Sequence, residues 1–386
     1  MNEVFFPGTF ARAILSSNVI LPGSRLLLRG GTYTGDFFST IHGTAKAPIT
    51  IQSYPGEHAI LDGSLIVFSS AHTIWKDLEI RYSGWLTRST AKAGSSPADI
   101  PATKRVQIIA QGCKFINCVI HDMADNGFDF WSASVDSELY GCVIYNIGWS
   151  GPDRGHGHLF YTQNETGTKH IRDCIAFNSF STGLKIYTEG GHAQGYNVVG
   201  NTIFNSAVLY AGNDYGMNFW VQDPNPGTGY TFDSNMSYHA KPTGDPVRIG
   251  LYDYQYGVRL LNNYWPEGII KNCELLEERG NYYGPALGNR VFLRANDYDP
   301  NRANLTIYNE AEASTIDIDI SALFGQTGTV KAHNAQDYFT DIQTLTITAG
   351  VITVSMINRT VAAPVGWTAP ATTFPQFGAF VLERTT

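Results

Sequence analysis

Short apolar blocks alternate with single polar residues along most of this chain, and one block recurs in recognisable form. Cys118-Val-Ile returns as Cys142-Val-Ile and Cys174-Ile-Ala, and degenerates to Asn201-Thr-Ile, at spacings of 24, 32 and 27 residues. Four residues after each start stands a small polar side chain: Asp122, Asn146, Asn178 and Asn205. Self-similarity at such a period marks a solenoid, in which each unit buries its apolar face only against its neighbours. The blocks are too short for helices and alternate as strands do, so the repeat predicts an all-β parallel β-helix.

A second set of strands stacks about half a coil away: GFDFW (127–131), LFYTQ (159–163), GLKIY (183–187), GMNFW (216–220) and IGLYDY (249–254). Side chains alternate along a strand. Phe128/Phe130, Phe160/Thr162, Leu184/Ile186 and Met217/Phe219 are then the inward pairs. Two outward columns follow. One reads Asp129, Tyr161, Lys185, Asn218, with Arg105 before it. The other reads Trp131, Gln163, Tyr187, Trp220, with Tyr252 after it. Trp and Tyr in rows on an outer face predict a binding surface, and sugar rings, at about one unit per coil, suit such a surface. The competing reading makes these rings ordinary side chains covered by loops.

The repeat is interrupted at 84–104, 148–157 and 222–230, and long insertions on repeat proteins often carry binding function. Residues 7–16 read as an amphipathic helix plugging the first coil. KNCELLEERGNYYG (271–284) reads as a last coil. Beyond about residue 290 the alternation becomes that of hairpins, with Ile316, Ile318 and Ile320 facing one way and Thr315, Asp317 and Asp319 the other. The expected organisation is a capped β-helix over 1–288 and an antiparallel β-sandwich over 289–386, acting as a cap or ancillary domain.

Charged residues make up only 16% of the 386, the formal net charge is −8, and no Lys/Arg block occurs, which argues against a nucleic-acid partner. No apolar run is long enough to span a bilayer as a helix. Five cysteines with no Cys-x-x-Cys pair do not form a disulfide framework. Cys118, Cys142 and Cys174 share one repeat position and read as stacked small hydrophobes. The opening MNEVFFPGTF shows no basic-then-apolar leader, so a leader was either removed or never present. Oligomeric state is open at this level.

Reactive groups are densest in GPDRGHGHLFYTQNETGTK (151–169). Two chemistries fit them. In β-elimination from a uronic-acid polymer a base removes the proton beside the carboxylate, an acid protonates the leaving oxygen, and a cation neutralises the carboxylate. Lys185 or His158 is the candidate base, Tyr161 the acid or base, and Arg154, Arg105 or Ca²⁺ the cation. Hydrolysis needs two carboxylates flanking the bond, and Asp129 with Asp153 or with Glu189 are the candidate pairs. Asp125-Asn-Gly reads as a turn. His156-Gly-His158 is a weak metal signal, so any metal site stays undefined. The substrate-binding set is Trp131, Gln163, Tyr187, Trp220, Asn218, Glu189 and Tyr252.

The coils at GGTYTGDF…APITIQSYPGEHAILDGS (30–64) resemble the opening coils of the chondroitinase B and alginate lyase type. The Cys/Asn-x-Ile-x-Asn coils from about 115 to 265 resemble those of the right-handed parallel β-helix proteins of the pectate lyase and carbohydrate-active superfamily. The resemblance implies an extracellular protein with a polysaccharide or oligosaccharide in a groove on parallel strands. It further implies a Lys base and an Arg acid on adjacent coils, with Ca²⁺ held by acidic residues. Lys185 matches that Lys; Asn218 stands where the Arg would be. The leading expectation is a polysaccharide lyase. A glycoside hydrolase, a polymer epimerase and a non-catalytic, tailspike-type glycan binder are the alternatives.

Overall fold

A computed structural model describes residues 3–6 (backbone only), 20–212, 216–225, 227–241, 246–250 and 252–385. The helix expected at 7–16 lies outside the described residues. Among them no helix is long and apolar enough to cross a membrane. The chain divides into two units, 1–283 with Val365–Trp367, and 284–364 with 368–386. The division is therefore not a single cut, because a short segment late in the chain belongs to the first unit.

The first unit is a parallel β-helix of three sheets with eleven, nine and eight described strands. The chain visits the three in turn, so one coil runs, for example, through Lys114–Ile116, Val119–His121 and Phe128–Phe130 before Glu138–Tyr140 begins the next. Every neighbour within these sheets is parallel, as when Val119 pairs with Val143 and Val143 with Ile175. Inward residues from the three sheets form one continuous apolar core, with Trp75, Phe115, Phe128, Phe160, Ile186, Phe219 and Trp265 among its members.

The repeat signature has a direct structural meaning. Cys118, Cys142 and Cys174 are buried free thiols stacked on successive coils. Where the cysteines stop, an inward asparagine column takes over: Asn201 donates to Asn235 Oδ1 at 3.0 Å and Asn235 to Asn263 Oδ1 at 3.0 Å. Each also donates to a main-chain carbonyl, Asn201 to Ile171 and Asn235 to Val198, so these buried amides are satisfied. Asp122, Asn146, Asn178 and Asn205 all have φ between 51° and 59°. They form a recurrent left-handed corner, just after the strand in Val119–His121 and Thr202–Phe204 and inside it in Val143–Ile147 and Ile175–Ser179, a conformation that Asp and Asn tolerate better than other non-glycine residues.

The second unit is one curled seven-stranded antiparallel sheet, in the order Arg290–Ala295, Arg302–Tyr308, Phe377–Thr385, Thr327–Asn334, Ile342–Thr348, Val351–Ser355, Thr315–Asp319. Its concave face encloses Leu305, Ile318, Ile320, Val330, Ile352 and Phe380. Ile318 and Ile320 point inward, as their alternation with Asp317 and Asp319 predicts.

Candidate active site

The outer face of the nine-strand sheet carries the site. Phe128, Phe160, Leu184 and Phe219 are in register and buried, which turns the next residue of each strand outward. The first column is therefore Gln107, Asp129, Tyr161, Lys185, Trp220 and Arg248. Asp129, Tyr161 and Lys185 are adjacent, as the repeat predicts.

Four column positions need correction: Gln107, not Arg105, stands before Asp129, and Asn218, Trp220 and Tyr252 also move. Trp220, not Asn218, is the neighbour of Lys185, and Gln222 pairs with Tyr187. The slip is two residues because the strand begins at Phe219 and not at Gly216. A two-residue slip preserves parity within the strand, so Phe219 stays inward and Trp220 outward, while Asn218, which precedes the strand, leaves the outward set. Asn218 is instead fully buried, accepting from Ser206 N at 3.2 Å and donating to Ser237 Oγ at 2.9 Å. The following strand is Val247–Ile249, so Arg248 lies beside Trp220, and Tyr252, 72% exposed, falls after the strand.

Asp129 is in the outward column, yet its carboxyl is covered. Asn126 Nδ2 donates to Oδ1 at 2.7 Å, and Arg105 Nη1 lies 3.7 Å from Oδ2 and 2.6 Å from Asp125 Oδ2. Burial, reinforced by the charge of Asp125, pushes the Asp129 pKa up to about 8, with Arg105 opposing. Burial also raises Asp125, again against Arg105. Asn126 has a second task, accepting from His158 N at 2.9 Å. The Asp-Asn-Gly turn is thus both a corner and a frame for the site. Gly127 is required there, since a Cβ would come within 2.7 Å of Ile144 Cγ2 and of Leu159 O.

A cavity of about 230 Å³ opens beside this frame, lined by Ser95, Asp125, Asn126, Trp149, Arg154, His156, Gly157, His158, Tyr161, Lys185, Tyr187 and Glu189. The 148–157 insertion enters as a two-strand hairpin, Trp149–Ser150 with Gly155–His156. Gly148 permits its crossing, because a Cβ would stand 1.8 Å from His156 O. The His156 ring stacks on Trp149 at 3.8 Å, and its Nε2 lies 3.2 Å from Asp153 Oδ1. Asp153 is thereby committed to the insertions, since its Oδ2 also accepts from Gly94 N of the 84–104 segment. Arg154 is half exposed at the rim.

The 84–104 insertion is also ordered. Arg88 is buried, paired with Asp122, and donates to the carbonyls of Asn146, Gly148 and Val365. Trp85, Ile100, Ala124 and Trp149 close a small apolar cluster beneath it, and this insertion brings Ser95 to the cavity.

Within the cavity the protonation states differ. Burial, with the charges of Lys185 and Arg154, pushes His158 well below the usual imidazole range, so its ring is neutral. Its Nδ1 has no hydrogen-bond partner among the described residues. Burial raises Tyr161 to about 12, so the phenol keeps its proton; Gln163 Nε2 donates to its oxygen at 3.3 Å. The Lys185 ammonium lies 4.4 Å from the Tyr187 and Trp220 ring centroids and 5.8 Å from that of Tyr161.

The aromatic side chains form an unbroken path of half-buried rings. Trp131 is 5.9 Å from Tyr161, Tyr161 6.3 Å from Tyr187, and Tyr187 5.9 Å from Trp220. Lys169 supports it from below, its buried ammonium donating to the carbonyls of Phe130 (3.0 Å), Trp131 (2.6 Å) and Gln163. Three carbonyls match the three N–H bonds of a lysine.

The candidate residues thus separate by position. Tyr161, Lys185, His158, Arg154, Tyr187 and Glu189 line the cavity; Trp131, Gln163 and Trp220 extend its floor; Asp129 lies beneath, Asp153 behind His156, and Asn218 and Tyr252 apart. Ser95, Asn126, Trp149 and His156 join the lining through loops, for which strand periodicity carries no signal. Among the described residues no group of three or more His, Cys, Asp or Glu side chains is arranged to hold a metal ion. The nearest carboxylate pair, Asp125 and Asp129, already faces Arg105. Lys185 and Arg154 bring positive charge to the cavity lining.

No family model and no curated protein matches the chain. Among solved structures it is similar to a pectate lyase, Pel9A (14% identity, 71% of this chain and 74% of that one, TM-score 0.48). It is also similar to a lacto-N-biosidase from Eubacterium ramulus (13%, 69% and 63%, TM-score 0.42) and to a PL6 family polysaccharide lyase from Pseudopedobacter saltans (14%, 76% and 67%, TM-score 0.37). The parallel β-helix itself is established by the chain's own strand pairing.

Proposed function

We propose that this protein cleaves a uronic-acid-containing polysaccharide by β-elimination on the outer face of the nine-strand sheet. The observation that carries the reading is one cavity holding a neutral imidazole, a protonated phenol and two cationic side chains, His158, Tyr161, Lys185 and Arg154, at the middle of a four-ring aromatic path. Lys185 and Arg154 bind the uronate carboxylate and stabilise the charge that develops as the neighbouring C–H bond breaks. His158 accepts that proton, and Tyr161 donates one to the departing glycosidic oxygen. The rings of Trp131, Tyr187 and Trp220 cover the apolar faces of flanking sugars.

Hydrolysis is the second reading, supported by the Asp129 carboxyl, which retains its proton to about pH 8 as a general acid must, and by Asp125 and Glu189 at the cavity. Incubation of the protein with alginate, polygalacturonate, rhamnogalacturonan and neutral glucans separates the two. Elimination yields products with the ultraviolet absorbance of a 4,5-unsaturated uronate; hydrolysis yields reducing ends without it. Binding with no release of product indicates a glycan-binding protein of the tailspike type.

A further inference from the structure

We infer that the glycan site continues over the three coils before Asp129 as a strip for uncharged, methyl- or acyl-bearing sugars, so that the substrate is a mixed polymer and not a homopolymer of uronate. This inference rests on the glycan reading above and deepens it. Phe38 pairs with Ile66, and Ile66 with Gln107, so both stand in the column of Asp129, Tyr161 and Lys185. Phe68 pairs with Ile109, and Trp131 N donates to Ile108 O at 3.2 Å, which brings Ile109 beside Trp131 in the second column. The outward residues of the strands Phe37–Ser39, Leu65–Phe68 and Val106–Ile109 are thus Phe38, Ile66, Phe68, Gln107 and Ile109, none of them charged.

Exposure distinguishes this strip from ordinary core. Phe38 is 52% and Phe68 51% exposed, and their strand partners Ile66 and Ile109 are half-buried. At the edge Lys104 is held by Asp36 at 2.7 Å and Arg105 by Asp125 at 2.6 Å, so both flanking cations are paired. A row of half-exposed phenylalanines and isoleucines costs solubility unless something covers it, and the strip is continuous with the Trp131–Trp220 path. Three steps between neighbouring strands of ~4.8 Å make about 14 Å, room for about three sugar residues.

The two ends of the path differ chemically. At the cavity Lys185 and Arg154 suit a carboxylate. On the strip the outward side chains are uncharged and the flanking cations Lys104 and Arg105 are already paired with Asp36 and Asp125, so a uronate placed there would lose hydration without gaining a new partner. Aliphatic and phenyl side chains instead suit the methyl group of a 6-deoxy sugar or an O-acetyl group, whose burial is favourable in proportion to apolar area.

The test uses size-fractionated oligosaccharides of two to eight residues from rhamnogalacturonan, in which uronate alternates with a 6-deoxyhexose, and from polygalacturonate, with binding measured by calorimetry. The expected result is affinity that rises with length for the mixed series and levels off early for the uronate series. Phe38→Ala/Phe68→Ala should lower affinity for mixed octasaccharides about tenfold, with no change for disaccharides. Phe68→Tyr, which keeps a ring, should restore half or more of the loss attributable to Phe68. Equal length dependence in both series, or an unchanged octasaccharide affinity in the double variant, overturns the strip while leaving the central site standing. Failure of the wild-type protein to bind either series at any length overturns both readings.

Discussion

Lys185 and Trp220 are direct partners on adjacent parallel strands, and the ammonium of the first lies 4.4 Å from the ring centroid of the second. Tyr187 holds the same ammonium from its own strand at 4.4 Å. The cation is therefore fixed over aromatic faces at the cavity, where preorganised charge is worth most to a developing anion. Lys185→Met retains the aliphatic stem and removes the charge. The expected outcome is a fall in kcat/KM of about 100-fold or more, with a thermal unfolding midpoint close to that of the wild type, checked by steady-state kinetics and circular dichroism.

Trp131 and Trp220 are half-buried, their indole nitrogens lacking partners among the described residues. Neither ring belongs to the inward core. Trp131→Ala and Trp220→Ala should each weaken oligosaccharide affinity roughly tenfold, a ring contact of about 1–1.5 kcal/mol, while unfolding stays cooperative. Collapse of either variant at low temperature would place the rings in the core.

How much of this was legible in the sequence follows from periodicity. The Cys118, Cys142, Cys174 column and the left-handed corner at Asp122, Asn146, Asn178 and Asn205 recur at fixed offsets, so their stacking could be read directly. Outward parity was equally legible, because a strand repeats every two residues. Register along GMNFW was not: Met217, Phe219 and Val221 are all apolar, and the pattern is unchanged by a two-residue slip. Nor was the burial of Asp129, which depends on Arg105 and Asn126 from outside its strand. Trp149, His156 and Ser95 reach the cavity through insertions, whose contacts have no period to read.

The protonation of Asp129 makes a prediction about pH. Its pKa in the folded protein, about 8, is above the usual carboxylate value near 4. A raised carboxyl contributes stability that is present in full below about pH 4 and is lost as pH rises through about 8. Asp129→Asn mimics the protonated form and keeps a side chain that can bond to Asn126. Wild-type stability in urea should therefore decline from about pH 5 to pH 9 by an amount on the order of a few kcal/mol relative to Asp129→Asn. Parallel curves for the two proteins would mean that Asp129 is ionised throughout, in closer partnership with Arg105.

The most direct test concerns the reaction itself. Wild-type protein and Tyr161→Phe are compared on the polysaccharide that the wild type degrades, with unsaturated uronate and total reducing ends counted in the same sample. The account predicts one unsaturated end per new reducing end for the wild type, and loss of both in Tyr161→Phe with oligosaccharide binding retained. New reducing ends without unsaturation, or undiminished cleavage in Tyr161→Phe, would contradict it.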